Sequence, residues 1–274
     1  MAKIIDFNYL KNKAKYVKIE TLKIHKIAPE TRLASSLSPI EILVTMFHGK
    51  IMKFNKNNVW SEKRDRFIIS KPHGVVCMYP ILADLGVISK KSLSTVCQQG
   101  SKLGGIPDFT TPGFETINGS LGHGIGVACG IALALKAKRS KSKMFVLMGD
   151  GELYEGSVWE AIMFAGQHKL DNLILVIDKN GRCMLDFCNK IIDLDPLDKK
   201  FNIFGWQAKT VDGHDMRKLH TAFTGLLNSK NKSPKVLIAE TIKGKSVPSL
   251  EKDEMCHIRT VSPDEIDRII KGLK

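Results

Sequence analysis

Two short turns stand out among the residues that could do chemistry. Gly149-Asp150-Gly151-Glu152 follows the apolar run 144–148, and Asp178-Lys179-Asn180-Gly181 follows the apolar run 173–177. Each has a plain alternative, since Asp-Gly is a common turn pair and Asn-Gly a strong hairpin signal. Together they offer more. Asp150 and Asn180 both carry hard side-chain oxygens just beyond an apolar strand. Adjacent parallel strands lie about 4.8 Å apart, so both oxygens could reach one ion. Mg²⁺ takes oxygen ligands in an octahedron, usually one or two protein groups plus substrate phosphates. The glycines admit backbone N–H groups to a diphosphate, and the helix after Gly151 aims its N-terminus there. The pair therefore predicts a Mg-diphosphate site. It is not a Walker loop, because no GxxxxGK[ST] string occurs.

The elements that must hold these turns follow a clear rhythm. Strands are expected at 66–70, 144–148, 173–177, 207–211 and 236–240. Helices are expected at 6–27, 38–53, 73–86, 91–99, 155–168, 196–204, 215–228 and 262–273, the last capped by Ser262 with Pro263 in its first position. Residues 119–138 are small and apolar and predict a buried helix opening with glycines. Residues 100–118 have no period and predict a long functional loop. Strands alternating with helices mean an α/β fold, a parallel sheet with helices on both faces. No linker or repeat divides the chain, so residues 1–274 are expected to form one domain, with 1–30 as an N-terminal helical extension.

Composition narrows the class. Of 274 residues, 43% are apolar and 26% charged, which excludes a disordered chain, a collagen and a small disulfide scaffold. No apolar run is long enough to span a bilayer, and the start has no apolar signal core. A soluble, cytoplasmic protein is expected. The six cysteines form no CxxC pair and are expected as thiols in a reducing compartment. The net charge of +14 raises nucleic acid as a partner. The lysine clusters at 3–26 and 136–143 are not interleaved with aromatics as a single-strand binding groove would be, so solvated faces are the favoured reading and nucleic acid the disfavoured one.

The string from Gly149 to Asn180, GDG followed by 28 residues and then Asn, resembles the thiamine-diphosphate binding motif. Glu155-Gly156 and Trp159-Glu160-Ala161 make it similar to the transketolase branch rather than the pyruvate dehydrogenase branch. Further segments match in order: RDRFIISKPHG at 64–74, TPGFETINGSLGHGIGVACG at 111–130, IAETIKGKSV at 238–247, and His257. The resemblance covers roughly residues 30 to 258. It implies a thiamine-diphosphate-binding fold of the diphosphate type, and thiamine diphosphate with Mg²⁺ (or Ca²⁺ or Mn²⁺) as cofactors.

The resemblance also implies roles. Asp150, Asn180 and the Arg182 carbonyl would hold the metal. Gly149, Gly151 and Glu152 would lie against the cofactor, with Gly151 approaching the diphosphate. His73 would sit near the diphosphate and thiazolium, and Gly119, Ser120 and Leu121 along the aminopyrimidine. Glu155 and Glu160 would belong to an acidic chain at a dimer interface; alternatively Ser157 and Glu160 form a capping box on an ordinary helix. His257 would reach the reacting centre as an acid/base group. Two positions depart from the family pattern. Arg32 and Ile106 stand where histidines usually contact the donor sugar. Arg holds anions in bidentate fashion and Ile donates nothing, so the donor itself is in question.

The family activates its cofactor with a Glu from a pyrimidine domain, which nothing in this chain resembles. The resemblance thus implies the N-terminal half of a split transketolase, inactive alone. Its partner would be a C-terminal pyrimidine-domain chain, in an α2β2 heterotetramer acting on sugars or sugar phosphates. The implied reaction moves a two-carbon ketol unit from a ketose to an aldehyde. Alternatives are another carboligase, with a 2-oxo acid or unusual sugar as donor, and a non-catalytic basic binding or regulatory subunit.

Overall fold

A computed structural model describes residues 5–184 and 186–273. Among these, five strands form one sheet: β1 (Arg66–Ile69), β2 (Met144–Gly149), β3 (Leu173–Lys179), β4 (Gln207–Asp212) and β5 (Lys235–Glu240). The order is β1-β2-β3-β5-β4, and each neighbouring pair is parallel. Every strand therefore ends on the same edge of the sheet. The register pairs Gly149 with Asp178, which brings the two turns side by side.

Alternation along the strands builds two cores. Phe67, Phe145, Leu147, Ile174, Val176 and Leu237 face one layer; Ile68, Val146, Met148, Leu175, Ile177 and Ile238 face the other. The first layer is covered by α1 (Phe7–Ile27), α2 (Leu33–Leu37), α3 (Ile40–Phe47), α4 (Met78–Asp84), α9 (Met216–Asn228) and α11 (Pro263–Leu273). The second is covered by α5 (Gly124–Ala137), α6 (Gly156–Gln167) and α8 (Leu197–Ile203). The short helices α7 (Cys188–Ile191) and α10 (Pro248–Lys252) lie in the connections. The expected α/β architecture, with helices on both faces of a parallel sheet, is what forms. Helix α1 buries Leu10, Val17 and Leu22 in the first core, and the Asp6 carboxylate caps it by accepting from Asn8 and Tyr9.

Three elements differ from expectation. The helix expected at 73–86 is a 3₁₀ segment, Pro72–Cys77, followed by α4. Pro80 has no N–H for the preceding turn, so it is accommodated in the first turn of α4 but not in the interior of one helix over 73–86. The helix expected at 38–53 stops at Phe47, where Gly49 approaches the Thr45 carbonyl and Lys50 turns left-handed at φ 59°. The helix expected at 91–99 is a short 3₁₀ segment, Lys90–Thr95. Helix α5 is also buried on one side only. Val127 is 45% and Leu133 40% exposed, and α6 beside it exposes Met163 and Phe164. No described helix is long and apolar enough to cross a membrane.

Candidate active site

The strand ends open into a cavity of about 250 Å³. Asp150, at the end of β2, is buried, and its carboxylate accepts N–H bonds from Gly151 (2.9 Å) and Gly181 (2.5 Å). Burial, with Asp178 adding, pushes its pKa up to about 6. Asn180 donates its Nδ2–H to the Asp178 carbonyl at 3.3 Å and accepts the Arg182 N–H at 3.2 Å. The Arg182 guanidinium is engaged elsewhere, on the Glu251 and Asp253 carbonyls and over the Phe187 ring. Its own carbonyl accepts the Lys243 ammonium at 2.9 Å, and the Cys183 carbonyl does so at 3.1 Å. Burial, with Lys71 adding, lowers the Lys243 pKa to about 8.

A second group of residues closes the other end. Glu152 is buried, and its Oε1 accepts the Ser70 hydroxyl (2.5 Å) and the Gly122 N–H (2.9 Å). That contact ties the Gly119–Gly124 loop to β1. Gly122 has φ 85°, and a Cβ there would lie 2.5 Å from Ser157 Oγ, so only glycine fits the turn. Ser157 donates to the Gly122 carbonyl at 3.0 Å, and α6 is capped at Glu155, so the capping-box alternative does not form.

His73 and His257 face the cavity with ring centroids 5.3 Å apart. Burial comes first in lowering both, followed by Arg32 for His73 and Lys243 for His257, which falls to about 3. Two buried side-chain atoms of residues in this lining have no hydrogen-bond partner: Glu152 Oε2 and His257 Nε2. Unpaired buried polar atoms are costly, so both call for a polar ligand or water. The lining also holds Gly119, Gly149 and Gly151, where backbone lies bare. These features, with hard side-chain oxygens at Asp150, Glu152 and Asn180, fit a ligand bringing its own phosphate oxygens to a divalent ion.

Of the sequence-predicted residues, the cavity lining holds His73, Gly119, Leu121, Gly149, Asp150, Gly151, Glu152, Asn180, Arg182 and His257. Ser120 is outside that lining, as are Arg32, Ile106, Glu155 and Glu160. Arg32 caps α2, and its charge reaches His73 and His257. Ile106 packs beside Gly119, and Glu155 and Glu160 are solvent-exposed on α6. Ser35, Lys71, Cys183, Met184 and Lys243 line the cavity and were not singled out from sequence. Lys71 falls two residues from the end of β1 and from His73, and Lys243 three residues past the end of β5, the one signal that could have found them.

A family described as "Transketolase, thiamine diphosphate binding domain" matches residues 17–273. The chain is 36% identical over 272 residues to an apulose-4-phosphate transketolase subunit of Actinobacillus succinogenes, covering 98% of each chain. It is 32% identical over 265 residues to human transketolase, covering 96% of this chain and 42% of that one. The fold matches the crystal structure of Campylobacter jejuni transketolase with a TM-score of 0.90 at 26% identity, covering 98% of this chain and 43% of that one.

Proposed function

Because the chain belongs to the transketolase thiamine-diphosphate-binding family, we propose that it is the diphosphate-binding subunit of a split transketolase. The observation that carries this is the cavity itself: Asp150 and Asn180 on adjacent strand ends, glycine backbone between them, and two imidazoles across the same space. Thiamine diphosphate, when bound, supplies a carbon nucleophile able to cleave the bond beside a ketose carbonyl. The chain's residues would bind and orient. Asp150, Asn180 and the Arg182 carbonyl would hold Mg²⁺ (Ca²⁺ or Mn²⁺ in its place), Gly151 N–H would meet the diphosphate, and Lys71 and Lys243 would add positive charge. Gly119, Ser120 and Leu121 would lie along the aminopyrimidine. His73, kept neutral by burial, can donate one N–H toward an oxyanion. His257, with its free Nε2, can take or return a substrate proton.

The partner would be a C-terminal pyrimidine-domain chain, in an α2β2 assembly in the cytoplasm. A relative supports this, since the protein matched over 98% of its own length is named as a transketolase subunit. The exposed apolar face formed by Leu121, Val127, Leu133, Met163 and Phe164 adjoins the cavity loop and gives such a partner somewhere to bind. Glu155 and Glu160 would join the interface there. Residues 1–274 would act as one domain, since α1 shares the first core.

Arg32 and Ile106 near the rim favour a donor other than the ordinary pentulose phosphate, either an unusual sugar or a 2-oxo acid. Apulose 4-phosphate, named in the relative from A. succinogenes, is the first ketose phosphate to try. The test is to purify the chain alone and with its partner and assay ketol transfer from ketose phosphates and pyruvate. Full activity without a partner would overturn the split reading, and no thiamine-diphosphate binding by the pair would overturn the cofactor reading.

A further inference from the structure

Asp178 is the next-to-last residue of β3 and is fully buried, yet it does not line the cavity. Its carboxylate is the meeting point of four segments. Oδ2 accepts the Ser38 hydroxyl at 2.7 Å and the Lys71 ammonium, while Oδ1 accepts the Thr241 hydroxyl. Lys71 also donates to Ser38 Oγ at 2.9 Å, closing a small ring. Burial opposes the charge, but Lys71 and the three hydrogen bonds outweigh it and hold the group ionised, below the usual carboxylate range.

Each partner carries a cavity residue close by in the chain. Lys71 lines the cavity itself and leads through Pro72 to His73. Thr241 is two residues before Lys243, whose ammonium sits on the Arg182 carbonyl. Ser38 is three residues after Ser35, which contacts His257 Nδ1 at 3.4 Å. On its own strand, the Asp178 carbonyl takes the Asn180 Nδ2–H. No two of these four segments are consecutive in the sequence. The sheet and two backbone bonds, Thr241 N–H to the Lys179 carbonyl and Gly244 N–H to the Ala34 carbonyl, align their backbones, and one buried carboxylate joins their side chains.

We propose that Asp178 is the positioning residue that sets these four cavity-bearing segments against one another, so that His73, Asn180, Lys243 and Ser35 face one ligand together. It acts through Lys71, Thr241 and Ser38 and touches no ligand itself. Removing one member of a buried, hydrogen-bonded ion pair leaves the other charge uncompensated, so the arms are released together rather than one by one. The inference rests on the cofactor reading for the identity of the ligand, but not for the positioning itself.

The test separates the two. Amide hydrogen exchange on the full chain compares wild type with Asp178→Asn, which keeps shape and loses charge. Faster exchange confined to residues 35–38, 71–74, 178–182 and 241–244, with β2, β5 and the remainder of β3 unchanged, is the expected result. Uniform loss of protection, or none, overturns the proposal. Should Asp178→Asn not fold, Thr241→Val removes a single arm, and its loss of protection should stay at 241–244; spread to all four segments or no change would overturn the proposal. Calorimetry with Mg²⁺ and inorganic diphosphate then reads the consequence for binding, an expected tenfold or greater weakening in Asp178→Asn. A wild-type chain that binds no diphosphate would count against the cofactor reading while the exchange result still decides the role of Asp178.

Discussion

The imidazoles of His73 and His257 meet edge to face, 5.3 Å apart, and burial holds both below the ordinary imidazole range. Two neutral rings in one cavity can divide the work, one donating an N–H and one accepting a proton. On the proposed reading His257, whose Nε2 has no partner, would be the acceptor. His257→Ala should lower kcat of the assembled enzyme by about 10²-fold, the size usual for general acid–base groups, with cofactor affinity little changed. Steady-state kinetics at saturating cofactor read this directly. An unchanged kcat would remove His257 from the chemistry.

Asp150→Ala and Asn180→Ala each take away one of the two hard side-chain oxygens at the strand ends. Thiamine-diphosphate binding should become Mg²⁺-independent and weaker by about 10²-fold, in keeping with the cost of losing a charge-bearing metal contact. Titration calorimetry with and without a chelator gives both quantities.

Stability should fall on the acid side. Buried His25 accepts the Val261 N–H on Nε2 at 3.5 Å, and its Nδ1 meets Thr31 Oγ1 at 2.9 Å, whose own hydroxyl donates to the Ala28 carbonyl. Both ring nitrogens are used by the neutral form, and a second proton would oppose the Val261 N–H. Burial lowers the pKa to about 4, against an ordinary value near 6.5. The folded state thus binds the proton later than the unfolded one. The contribution is whole above pH 6.5 and drains away as pH falls toward 4, about 2–3 kcal/mol in all. Urea melts at pH 7.5 and 4.5 should differ by that much more in wild type than in His25→Gln.

Gly122→Ala introduces a Cβ at φ 85° that crowds Ser157 Oγ and Glu155. The expected cost is about 1–3 kcal/mol, read as a lowered Tm. Gly126→Ala on α5, where a Cβ meets nothing, should leave Tm level or raise it.

Val127→Lys and Phe164→Glu place charge on the exposed apolar face. Neither is in the core, so the Tm of the isolated chain should move little. Sedimentation analysis with the pyrimidine-domain chain should show the complex lost. A complex that survives both changes would put the partner elsewhere.

The strand ends were the most legible part of the site. Asp150 and Asn180 follow uninterrupted apolar runs, and a parallel sheet aligns such ends by construction. Lys71 and Lys243 were hidden by abundance: in a chain with 42 Lys and Arg, a lysine beside a strand end does not stand out. Asp178 read as part of a turn, because its three tethering side chains come from segments remote in sequence. The helix breaks were visible in principle, at Pro80 and Gly49, but helical periodicity outvoted them. The solvent-facing side of α5 was read as buried because exposed apolar residues of a binding surface look like core to a composition rule.

The spacing from the Gly149 turn to Asn180 is also a travel distance. The chain leaves the carboxyl edge of the sheet, descends α6 over roughly 18 Å, turns at 168–172, and climbs β3 over roughly 23 Å to arrive beside its starting point. The 28 intervening residues are a closed circuit, and only its return to the start matters. Extra residues at the far turn would lengthen the path and leave both ends where they are. One extra residue within β3 would exchange its two faces and swing Asn180 away. A motif defined by a count is thus really defined by a round trip, and relatives with longer far turns could keep the site while losing the spacing that reveals it.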